Sequence, residues 1–169
     1  MITDHNTGIS LDELHNAKTV FIDNSFDYRV HAKQEINIQG PLRDDITWKR
    51  VPEAFPNKKI LLFGNREVVP VDIAQGSLPD CFLITAIMVL ASKPKLLRDM
   101  FVTKEYNPFG YYCVRFSLED RFVHVIVDDV IPITSNNMPL FARHVNKPED
   151  PKDAVIIWPV CVLTSYSLF

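Results

Sequence analysis

Residues 72–83 read Asp72-Ile73-Ala74-Gln75-Gly76-Ser77-Leu78-Pro79-Asp80-Cys81-Phe82-Leu83, and an apolar run continues to Ala91. Gly76 and Pro79 break regular structure, so residues 71–80 read as a loop. Asp80 is a candidate helix N-cap, which places Cys81 at the first helical position. The run Cys81–Ala91 is too long for a typical buried strand, so its length favours a helix. It is apolar on nearly every face, which predicts a central, wrapped helix. At about 1.5 Å per residue it spans roughly 16 Å, half a bilayer core, so no membrane span is expected. A thiol at a helix start faces unpaired N–H groups and the positive end of the helix dipole, and both favour the nucleophilic thiolate. The Cys81 N–H, with the Gln75 amide, would then hold the oxyanion of a tetrahedral intermediate. The other reading of the same residue is a small buried hydrophobe. Spacing and residue type leave both open.

Outward from this stretch, residues 1–45 are polar, and Val20–Phe26 is their one ordered-looking segment. Residues 46–55 suggest a short strand or turn ending at Pro52 and Pro56, and residues 60–63 a short buried strand. Ser92 or Lys93 caps a second helix with Pro94 in its first turn. Leu96, Leu97, Met100 and Phe101 are expected to share its apolar face. Residues 111–118 and 121–128 alternate in polarity around Glu119-Asp120, the pattern of an antiparallel hairpin. Residues 134–153 read as a long polar loop, and residues 154–169 are apolar almost throughout.

Composition narrows the class. The chain has 169 residues, 47% of them apolar, with a net charge of −3. That is enough for one core and too apolar for general disorder. The charge gives no pull toward nucleic acid. Cys81, Cys113 and Cys161 are far apart and in no zinc-like spacing. With no readable secretory signal, the expectation is a reduced, cytoplasmic protein.

The stretch around Cys81 resembles the active-site segment of calpain-type cysteine proteases, D-I-x-Q-G-x-L-G-D-C-W-x-L. Other segments follow in order. Residues 20–26 resemble the family's F-x-D-x-x-F, and Trp48-Lys49-Arg50 with Glu53 its W-K-R-x-x-E. Leu62-Phe63 resembles its L-F. Asn107, Gly110, Tyr112, Val114, Arg115 and Phe116 follow its YN-x-x-G-x-Y-x-V-R-F. Residues 125–129 with Pro132 resemble its V-x-V-D-D-x-x-P, and Trp158 the Trp opening a later helix. The resemblance implies an α+β fold, the Cys-bearing subdomain of a papain-like protease with a central helix, smaller helices and a short antiparallel sheet. It implies residues 1–19 as a polar N-terminal extension and 20–169 as the Cys-bearing half of the catalytic domain.

By the same resemblance Cys81 is the nucleophile, Gln75 the oxyanion-hole partner, and protein chains the substrate. It also implies calcium, held by Asp72 with backbone carbonyls near Asn65–Glu67. At the place of that site's second carboxylate stands Ile156, and an apolar side chain cannot coordinate a hard cation. Pro79 replaces a Gly, Phe82 a Trp, and Leu163-Thr164 a Glu-Lys pair. A cysteine protease also needs a His and a group to orient it. In this superfamily these lie roughly 130–150 residues beyond the Cys, whereas only residues 82–169 follow Cys81. Neither His124, in a strand, nor His144, in the polar loop, reads as that His. Asp128-Asp129 reads as a structural pair capping backbone N–H groups. The expectation is therefore a fragment, inactive alone, that needs a second protease half or partner chain. The alternative is a non-catalytic calpain-like binding or regulatory module.

Overall fold

The computed structural model describes residues 1–24, 46–76, 81–136, 138–140 and 142–166. Helix α1 is Leu11–Ala17. The Ser10 hydroxyl accepts from the Glu13 N–H, and the Glu13 carboxylate accepts from the Ser10 N–H, a reciprocal cap that starts the helix. Strand β1, Thr47–Arg50, runs directly into the short helix α2, Val51–Ala54, with Pro52 in its first turn, where a missing N–H is harmless. Strand β2 is Lys59–Leu61. A single 3₁₀ turn, Pro70–Asp72, leads into the two-residue strand β3, Ile73–Ala74. Then come helices α3, Cys81–Ala91, and α4, Pro94–Met100. The remaining strands are β4, Tyr111–Leu118; β5, Arg121–Asp128; β6, Val130–Ile133; β7, Arg143–His144; and β8, Ala154–Ile156. Helix α5, Trp158–Tyr166, follows.

The strands form two-stranded pairs among the described residues. The β4–β5 hairpin is in full register from Tyr111↔Asp128 to Leu118↔Arg121, and Glu119 takes a left-handed φ of 53° to close its two-residue turn. β1–β6 and β3–β7 are also antiparallel, while β2–β8 is parallel. The architecture is thus α+β, helices around small and mostly antiparallel sheets. No helix among the described residues is long and apolar enough to cross a membrane.

The wrapped helix is α5. Residues Trp158 to Ser165 are buried throughout. Its hydroxyls turn back on the helix, Thr164 Oγ1 donating to the Val160 carbonyl and Ser165 Oγ to the Cys161 carbonyl, which lets polar side chains sit in the core. α3, expected to be wrapped, buries Ile84, Ile87 and Ala91. It exposes Cys81, Phe82, Thr85, Ala86 and Val89, a stripe along one side. Apolar composition alone does not distinguish these two helices; α5 lies against β4, β5 and β7 as well as α3. In α4, Leu97 is buried and Phe101 beyond its end is too, but Leu96 is 56% exposed. That departs from the shared face expected of them.

A second cluster lies on the other side of the hairpin. Tyr111, Cys113 and Ile126 are covered there by Phe21 and by Ile2, Ile9, Leu11 and Leu14. The polar N-terminal residues are thus an ordered cover. Asp4 Oδ1 accepts from the Ile126 N–H at 2.7 Å, and the His5 N–H donates to the His124 carbonyl. The proposed Asp80 cap and the end of the Val20–Phe26 segment lie outside the described residues.

Three segments far apart in the chain meet in one knot. Arg50 Nε donates to Asp129 Oδ1 at 2.6 Å, and Gly110, at φ 72°, leaves the space that the Arg50 guanidinium fills. A Cβ at that position would run into the guanidinium. Beside the knot, Asp128 accepts from the Asp23 and Val130 N–H groups. The acidic pair therefore caps backbone donors and pairs a cation, the structural reading expected of it.

Candidate active site

Cys81 is the first residue of α3 and is exposed, and its carbonyl accepts from Thr85 Oγ1 at 2.8 Å. The other two thiols are buried. Burial pushes the Cys113 thiol up to about 12 and raises that of Cys161 as well, which keeps both protonated and inert at neutral pH. Gln75 follows β3 and is also exposed. The segment 77–80 between them is outside the described residues. The Pro70–Asp72 turn that leads to Gln75 packs against α3, so both ends of the loop are anchored on the same helix.

Asp72, at the end of the Pro70–Asp72 turn, belongs to an ion-pair cluster whose carboxylates are buried. Arg66 forks onto Asp72, with Nη1 to Oδ2 at 2.7 Å and Nη2 to Oδ1 at 2.8 Å. Nη2 also reaches Asp150 Oδ2 at 3.1 Å, and Nη1 donates to the Glu67 carbonyl at 3.1 Å. The Val69 N–H donates to Asp72 Oδ2, and the Lys147 N–H to Asp150 Oδ2. His144 Nε2 lies 3.1 Å from Asp150 Oδ2. Burial by itself would raise the Asp72 carboxyl. The Arg66 fork and the Val69 N–H outweigh it and hold that carboxyl below the usual carboxylate range. Asp150 is likewise lowered against its burial, by Lys147, His144 and Arg66.

The donor set implied for calcium was Asp72 with carbonyls near residues 65–67. The fit is poor. Both Asp72 oxygens and the Glu67 carbonyl already accept from Arg66, and Ile156 is buried and apolar. Of the two histidines beyond Cys81, His144 is engaged with Asp150. His124 is half-buried opposite Arg115, and burial followed by Arg115 lowers its pKa. Arg66 and Asp150 gave no sequence signal. They stand 84 positions apart, and Asp150 lies in a polar loop whose composition suggests solvent.

A helix that opens at an exposed cysteine, set among small sheets in an α+β fold, is the arrangement of a papain-like protease subdomain. Residues 21–154 match the family described as calpain family cysteine protease, and the chain belongs to that family. It is 40% identical over 73 residues to the calpain-type cysteine protease DEK1 of Arabidopsis thaliana, covering 43% of this chain and 3% of that protein. It is 36% identical over 107 residues to Calpain-8 of Rattus norvegicus, covering 60% and 14%. With Calpain-5 of Caenorhabditis elegans it shares 28% over 133 residues, covering 75% and 19%. The chain therefore spans a small part of the length of each of these relatives.

Proposed function

We propose that this chain is the nucleophile-bearing part of a calpain-type cysteine endopeptidase acting on proteins, with Cys81 as nucleophile and Gln75 as oxyanion-hole partner. The observation that carries this reading is the contrast among its thiols. Cys81 opens a helix in solvent, while Cys113 and Cys161 are buried. In this role the Cys81 thiolate attacks the scissile carbonyl. The Cys81 N–H and the Gln75 amide hold the oxyanion that develops. The proton must then reach the leaving amine through a histidine held by a third group. His144 is tied to Asp150 and His124 lies in the hairpin, so a second protease half or partner chain would supply that base. Three free thiols suit a reducing compartment such as the cytoplasm.

Competitive alkylation with iodoacetamide, read by peptide mass spectrometry, tests the nucleophile. Cys81 is expected to react about tenfold faster or more than Cys113 or Cys161 in the folded protein. Equal rates at the three would remove the basis for the assignment. Purified chain alone is expected to leave casein uncut. Casein turnover that disappears in Cys81→Ala would overturn the need for a second half.

A further inference from the structure

We propose that Arg66 is the resident cation of the Asp72 centre, its guanidinium taking the place of a calcium ion, so that this part of the chain is held closed without metal. Four oxygens converge on the guanidinium: Asp72 Oδ1 and Oδ2, Asp150 Oδ2 and the Glu67 carbonyl, at 2.7–3.1 Å. Calcium requires such hard oxygens at about 2.3–2.6 Å. It has no route to these while a positive charge lies among them. Two buried carboxylates face one another here with Arg66 between them. The side chains of Asp72 and Asp150 are fully buried, and buried charge persists only when paired. A planar fork that addresses two carboxylates at once suits this position. The surroundings are closed as well. A Cβ on Gly64 would meet Asp150 Oδ1 at 2.8 Å and Ile156 Cδ1 at 3.0 Å, so backbone fills the space next to the second carboxylate.

The consequence is mechanical. Arg66 ties residues 66–72, which lead to Gln75 and Cys81, to residues 144–150 across the β3–β7 pair. A bound metal would make such a tie only once it had arrived. Here the tie is covalently part of the chain. The inference concerns the Asp72 centre and stands whether or not Cys81 is a nucleophile.

Thermal unfolding of the whole chain in 5 mM calcium chloride, against 5 mM magnesium chloride and EDTA, tests it, with Asp72→Asn and Arg66→Gln beside the wild type. The wild-type midpoint is expected to be the same in all three. Arg66→Gln leaves the two carboxylates without the cation they share. Its midpoint is expected to fall in EDTA and to recover by about 5 °C or more in calcium but not magnesium. A calcium-specific rise in the wild type that Asp72→Asn abolishes would overturn the proposal. So would an Arg66→Gln protein that folds and ignores calcium. If Arg66→Gln does not fold in any buffer, terbium luminescence on the wild type decides. No binding-site emission that calcium displaces supports the resident guanidinium. Such emission, lost in Asp72→Asn, refutes it.

Discussion

Asp128 shows how a single side chain sets a pH dependence. Burial is the main cause that pushes its carboxyl up to about 6, against the hydrogen bonds from Asp23 and Val130. The folded protein therefore holds this proton more tightly than the unfolded chain, whose carboxyl titrates near 3.8. The contribution to stability is full below about pH 4 and is lost as pH rises through 6, with a total on the order of 3 kcal/mol. Wild-type stability in urea at pH 4.5 and pH 7 should differ in that sense, and Asp128→Asn should flatten the difference; an unchanged slope would refute it. The carboxylates of Asp72 and Asp150 have the opposite sign and act at lower pH, since both are held below the usual range. Legibility also divides at this scale. The helix start at Cys81 and the capping Asp128-Asp129 pair were visible because local residues define them: a loop breaker before the helix, a strand end before the pair. Arg66 was not, because its meaning comes from Asp150, and no local spacing announces a partner that far along the chain.

At the scale of the element, the β4–β5 hairpin was legible down to its turn, because alternation over eight residues admits one register once a face is buried. Helix α3 was expected to be wrapped but exposes one side, whereas residues 154–169, read only as apolar, hold the buried helix α5. Their sequences say that apolar surface exists; what covers it depends on strands elsewhere. The N-terminal helix was missed for the opposite reason, since α1 has no fully buried residue and is held by its cap and by its own half-buried Leu11 and Leu14 against the second cluster. Ser10→Ala should destabilise the protein by about 1 kcal/mol, read as a shift in the urea midpoint at unchanged slope. Deleting residues 1–19 should also speed alkylation of Cys113, which that cover buries. An unaltered Cys113 rate in the deletion would mean that the cover is not closed by these residues.

At the scale of the molecule, the calpain signature is a record of how the chain ties itself together. Arg50, Gly110 and Asp129 come from three of its segments and form one knot. Arg50→Ala would leave Asp129 buried without its cation and should cost about 3–5 kcal/mol. Gly110→Ala, strained at φ 72° and aimed at the same guanidinium, should destabilise by at least about 2 kcal/mol. Denaturant unfolding of each variant checks both, and a loss under about 1 kcal/mol in either would show the knot to be dispensable. These pieces were readable in order along the sequence because they match the family's pattern, although no local spacing announces the joint they form. The parallel β2–β8 pair was not readable, because nothing in residues 59–61 says which later strand they will meet. That pair and α5 also set a timetable. Leu62, Phe63 and Ile87 share a core with Trp158, Val160 and Leu163, so during synthesis the early half must wait, uncovered, for a helix made well after it. Until α5 leaves the ribosome, the stages that a folding chain most needs protected are those in which its apolar surface has been made and its lid has not.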